Sequence, residues 1–174
     1  MSRRLHLLHA LDAHRAAFTA RLDALPEAVV HASPGPGAWS LAQIADHLAR
    51  IDGLVRPDGK PAGTLARATS RARGRAMAAI ISLPVRYPAP PGAGRILPEA
   101  APRWPEVRER WAGVRTRWHT AEPGEDAVAL RHPIAGPLLW DDALAFVLAH
   151  HRHHDAQVRR TLAALEESAG GEEA

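Results

Sequence analysis

The stretch WDDALAFVLAHHRHHDAQVRRTLAAL, residues 140–165, decides how the rest of the chain is read. It contains no proline or glycine, and its apolar residues recur at helical spacing. His150, His151, His153 and His154 crowd its middle. Side chains four apart on a helix share a face, with Cβ atoms roughly 5–6 Å apart, so His150 and His154 can serve one metal ion. Ala143, Val147, His150, His154, Gln157 and Thr161 follow in steps of four, three, four, three and four, the seam of a packed helix. His150 and His154 therefore lie on the inward line. His151 falls on its margin beside Leu144 and Leu148. His153 falls off the line and reads as an exposed side chain or a proton-transfer group. Both are flanking groups on this reading.

The composition limits what chemistry that cluster can join. With 174 residues the chain is read as one domain, residues 1–168, followed by a flexible tail over 169–174. It has no cysteine, so disulfides, zinc ribbons and thiol catalysis by the protein are excluded, and His, Asp and Glu remain as metal ligands. The net charge is only +3, and Lys60 is the sole lysine among the basic residues. That arginine bias, with abundant Ala, Gly and Pro, reads as a GC-rich coding sequence rather than a nucleic-acid footprint. At the start, His6, His9, Asp12 and His14 interrupt the apolar residues, so no signal peptide is expected there. No membrane span follows. The expectation is a soluble cytoplasmic protein.

Three further helices are predicted. The first covers residues 3–25, with Leu7, Leu11, Phe18, Leu22 and Leu25 as its stripe and Pro26 as its stop. His14 lies on that stripe and reads as a core or rim histidine with a hydrogen-bond partner. The turn-rich Ser33-Pro34-Gly35-Pro36-Gly37 then delivers Trp39 and a Ser-x-x-Gln capping box, Ser40 to Gln43, which opens the second helix. His47 sits between Ile44 and Ile51 on its inner side. The third long helix, 104–120, carries Trp104, Val107, Trp111, Val114 and Trp118, a core stripe. Between the second and third lie a weaker helical segment, Thr64 to Leu83, and a Pro/Gly-dense loop over 84–102, long enough to act as a lid or rim. Arg67, Arg71, Arg73 and Arg75 have no aromatics among them for base stacking, so a solvated face is expected rather than a nucleic-acid surface. The segment from His119 to the final helix is read as loop and turn, without strands.

Four striped helices bury their stripes only against one another, which gives an all-α bundle. In it, His47, His150 and His154 can meet and offer three imidazole nitrogens to one ion, leaving coordination positions open, as a catalytic site requires.

The segment Gly37-Ala38-Trp39-Ser40-Leu41-Ala42-Gln43-Ile44-Ala45-Asp46-His47-Leu48 resembles the entry to the second helix of the DinB-like (YfiT-like) metalloenzyme superfamily. His132-Pro133, Gly136, Leu138 and the run His150-x-x-His153-His154-x-x-Gln157-Val158 resemble its last-helix motif. The resemblance spans nearly the whole chain in the correct order. It implies a four-helix bundle in up-down-down-up order, with a long crossover carrying a short extra helix and a Pro/Gly-rich loop. It also implies a homodimer and a divalent ion on a triad matching His47, His150 and His154. Zinc or nickel is the expected ion, with iron, cobalt and manganese as further candidates.

Characterised members of that superfamily include thiol-dependent S-transferases and isomerases, while many have no assigned reaction, so the resemblance implies a low-molecular-weight thiol as a candidate co-substrate. The expected function is therefore a metal-dependent hydrolase or thiol S-transferase, in which the ion activates a thiol or water toward a small electrophile. His153 and Gln157 are candidate supporting residues around the ligands. The competing reading is a non-catalytic bundle, related to stress or DNA damage, that binds a ligand or partner. On that reading the histidines form a packed polar network without metal, and the Arg67–Arg75 face is the contact surface.

Overall fold

The computed structural model describes residues 2–83 and 93–171. Ser2 caps the first helix, α1 (Arg3–Asp23), its hydroxyl accepting from the Leu5 amide at 3.3 Å. The chain turns at Ala24 and Leu25, and Pro26 starts a five-residue helix, α2 (Glu27–His31). Proline fits that boundary because its fixed φ and missing N–H cost nothing before a first turn.

Next comes α3 (Leu41–Leu54), opened by the expected capping box: the Ser40 hydroxyl accepts from the Gln43 amide, and the Gln43 side chain accepts from the Ser40 amide. This helix is enclosed on most sides, so even Asp46, His47 and Asp52 are buried along it. The remaining helices are α4 (Thr64–Ile81), α5 (Trp104–Thr120) and α6 (Trp140–Gly171), with one 3-10 turn at Ala93–Arg95. Helix α6 packs against α1, α3 and α4, and α3 packs against α5.

The apolar interior forms two clusters. One gathers Leu7, Leu11, Ile51, Trp118, Leu144 and Val147; the other gathers Phe18, Leu22, Leu41, Ile44, Trp111 and Val158. Along α6 the histidines fall between Leu148 of the first cluster and Val158 of the second. Along α1, His14 falls between Leu11 and Phe18. The core is thus apolar at both ends with a polar layer across its middle.

Two strands, β1 (Val128–His132) and β2 (Gly136–Leu139), pair antiparallel between α5 and α6, where loop and turn were expected. The burial of β1 runs inward for three residues before turning out, and a register shift between Val128 and Leu130 breaks its alternation. Strands so short and irregular leave no period-2 signal in a sequence. Gly136, at φ 72°, supplies the left-handed backbone where the second strand begins. The loop after α3 runs alongside β1, with the Val128 amide donating to the Lys60 carbonyl at 3.0 Å. Gly59 is needed in that loop, since a Cβ there would lie 1.9 Å from the Val128 carbonyl oxygen.

Helix α4 fills the weaker helical segment expected over Thr64 to Leu83, and at 18 residues, against 14 for α3, it is longer than the short extra helix that the resemblance implies. Its apolar content is low because small or polar residues help dock it: Ser70 and Gly74 are buried against the start of α6. Ser70 donates to Asp142 Oδ2 at 2.6 Å and accepts from the Leu139 amide at 2.8 Å. Arg3 reaches Asp142 Oδ1 at 2.9 Å, tying the beginning of the chain to the same carboxylate. The expected lid over 84–102 lies outside the described residues up to residue 92, and the expected tail lies outside them beyond Gly171. Among the described residues, no helix is long and apolar enough to cross a membrane.

Candidate metal centre

His47 projects from the middle of α3, and His150 and His154 from successive turns of α6. Their nitrogens converge: one ligand atom from each lies within 4.8 Å of the others. All three side chains are buried. His47 Nε2 and His150 Nε2 are 3.0 Å apart.

The second ring nitrogens fix how these imidazoles face. His47 Nδ1 donates to the Ile96 carbonyl at 2.6 Å, and His154 Nδ1 donates to Gln157 Oε1 at 2.8 Å. A neutral imidazole holding its proton on Nδ1 presents a lone pair at Nε2. His47 and His154 are therefore set to offer Nε2 as ligand atoms, oriented by the kind of outer partner that metal-binding histidines use.

Protonation is disfavoured throughout. Burial is the main reason: it lowers His154 from 6.5 to about 3, with the neighbouring His47 adding to the effect. Burial also holds His150 well below its ordinary value, reinforced by His154 and His47. His47 is lowered by burial too, partly offset by the Ile96 carbonyl. Neutral imidazoles are the form that binds metal.

The segment carrying Ile96 is itself clamped to α3. Gln43 Nε2 donates to the Glu99 and Ala100 carbonyls, at 3.2 and 3.0 Å. Asp46, fully buried beside His47, accepts from the Glu99 amide at 2.8 Å and from Arg50 at 2.9 Å, and Arg110 pairs with its other oxygen. Trp39 covers the rings from the loop before α3, its ring centroid 5.1 Å from that of His47 and stacked 6.4 Å from that of His154.

The other histidines of α6 separate. His153 is half-buried rather than exposed, its ring 5.5 Å from that of His154. His151 corrects the expectation of a flanking group on the margin of the seam. It is wholly buried, and its Nε2 meets Asp52 Oδ1 at 2.8 Å, while Asp52 Oδ2 accepts from Trp111 Nε1 at 2.7 Å. The a/d seam is narrower than the face that α6 buries, because α1, α3 and α4 enclose it from several sides. His14 has the expected partner, Asp155, at 2.8 Å.

Asp46, Asp52 and the Ile96 carbonyl were not found by motif reading. Asp52 left a trace nonetheless, since it follows Leu48 by four residues on the apolar stripe. The Ile96 carbonyl left none, being a main-chain group in an irregular segment.

A divalent ion fits this donor set. Two imidazoles have their tautomers fixed from behind, and His150 Nδ1 is buried without a hydrogen-bond partner. A hydrogen bond from His150 to His47 would leave that Nδ1 as a bare acceptor, so the cluster lacks a self-contained hydrogen-bond solution.

Fold and site together define a helical protein with three histidines converging in its core. The family model of the DinB superfamily matches residues 10–158, and the chain belongs to that superfamily. No curated protein and no solved structure matches the chain.

Proposed function

We propose that the protein is a divalent-metal-dependent enzyme acting on a small electrophilic molecule, with His47, His150 and His154 as the ligands. The observation that carries this reading is the paired orientation of His47 and His154, whose Nδ1 atoms are spent on Ile96 and Gln157 while Nε2 is left for a ligand. When bound, the ion supplies a Lewis acid that lowers the pKa of a thiol or water and polarises the electrophile.

The chain's own part is to orient and to enclose. Ile96 and Gln157 hold two rings, Trp39 shields them, and burial keeps all three imidazoles unprotonated at neutral pH. Hydrolysis or thiol S-transfer is the corresponding reaction, with zinc or nickel as the ion. The bundle order up-down-down-up, a homodimer and a cytoplasmic setting belong to the same reading.

The non-catalytic alternative draws less support, since Arg67, the first residue of its proposed contact face, is paired with Asp126 at 2.6 Å. Elemental analysis of purified protein tests the assignment. One equivalent of divalent metal is expected in the wild type and a small fraction of that in His150→Ala and His154→Ala. Full occupancy in both variants would overturn the triad.

A further inference from the structure

A groove of about 990 Å³ opens beside His154. Its floor is the face of α6 bearing Gln157 and Arg160, and Trp39 with the loop from Pro34 forms one wall. Arg152 stands at the margin of the same floor. No carboxylate is among the described residues lining it.

Arg152 and Arg160 form no ion pair with any described residue, whereas Arg3, Arg50, Arg110 and Arg115 each hold an aspartate. Guanidinium stays charged at any working pH. Two guanidiniums without an ion pair beside walls of proline and indole, with no carboxylate among the described lining residues, give the groove a positive potential. Arg160 lies one turn beyond Gln157, the residue that orients His154. From His154 to Arg160 the helix rises roughly 9 Å at 1.5 Å per residue.

We infer that the groove takes an extended small molecule whose anionic group, carboxylate or phosphate, is held by Arg160 and whose reactive end points to His154, with Arg152, on the other side of His154, adding to the positive potential of the groove. The guanidinium fork suits either anion and carries the charge-assisted bonds that a hydroxyl cannot match. Only the reactive end rests on the metal reading; the anion site stands on the arginines themselves.

Three probes of matched length test this: 6-mercaptohexanoate, 6-mercaptohexyl phosphate and the uncharged 6-mercaptohexanol. Each is titrated calorimetrically into metal-free protein and, by absorbance, into cobalt-loaded protein. At least one anionic thiol is expected to bind about tenfold tighter than the alcohol in both forms, and the preferred anion identifies the group recognised. Arg160→Gln is expected to remove most of that preference and Arg152→Gln part of it, while Arg71→Gln on the exposed face of α4 leaves it intact.

Equal binding of anions and alcohol by the wild type overturns the inference, as does a preference that survives in the Arg152→Gln/Arg160→Gln double variant. An anion preference without any thiolate–cobalt band leaves the anion site standing and overturns the placement of the reactive end at the ion; the metal reading itself falls only to the elemental analysis of the histidine variants.

Discussion

His151 Nε2 lies 2.8 Å from Asp52 Oδ1 with both side chains fully buried, and this pair locks the histidine-bearing turn of α6 to α3. Trp111 of α5 donates to the other Asp52 oxygen, so one carboxylate joins three helices. Removing it strands an imidazole and an indole N–H in the core. Asp52→Ala is expected to cost about 3 kcal/mol or more of folding stability, measured by urea unfolding. A loss under 1 kcal/mol would show that the three helices are held without it.

Gln157 acts on the triad only through His154. Replacing it with Leu keeps the size near the original but removes the acceptor at Nδ1. Metal affinity is expected to fall roughly 10–100-fold while the fold is retained, the usual effect of losing such an outer partner. Competition with a chromophoric chelator gives the number, and unchanged affinity would dissociate Gln157 from the site.

The three buried imidazoles also set a pH dependence for the metal-free protein. Burial lowers His154 to about 3 and depresses His150 and His47, whereas an unfolded chain protonates its histidines near the ordinary 6.5. Below 6.5 the unfolded state therefore takes up protons that the folded state refuses. Stability is complete above that value and declines as pH falls toward 3. The urea midpoint of metal-free protein should drop steadily from pH 7 to 5, and His154→Leu should flatten the slope. A midpoint constant over that range contradicts the burial of these rings.

A second ionic contact gives a test away from the triad. Arg115, buried on α5, donates to Asp12 at 2.7 Å and lies over the Trp118 ring, 4.3 Å from its centroid. Burial would raise Asp12, but the hydrogen bond and charge of Arg115, with His119 beside them, outweigh it and lower the pKa. Its contribution is present above the usual 3.8 and is lost as pH falls through the lowered value. Asp12→Ala leaves the guanidinium without its carboxylate and is expected to cost about 2–3 kcal/mol at neutral pH. Thermal unfolding at pH 7 measures this, and a Tm unchanged from wild type would count against it.

The helices and the convergence of His47 with His150 and His154 were legible because each rests on a period or a cap. Apolar spacing sets the inner faces, and Ser40 with Gln43 marks the start of α3. The missed features have causes of a different kind. The hairpin is too short for alternation to show, and α4, though expected as a helical segment, gave no sign of its docking face because Ser70 and Gly74 rather than a stripe meet α6. His151 was misplaced because a seam describes contact with one neighbour, whereas α6 has several. Main-chain groups such as the Ile96 carbonyl carry no side-chain signature at all.

Trp39 gives the protein an optical gauge of its own ligand state. Its indole lies against the rings of His47 and His154, closer to the candidate ion than a long-range quencher needs, while the other four tryptophans sit in α5 or at the start of α6. A coloured divalent ion such as nickel or cobalt should therefore dim Trp39 more strongly than the others. The fraction lost, and its disappearance in Trp39→Phe, would report occupancy without any added dye.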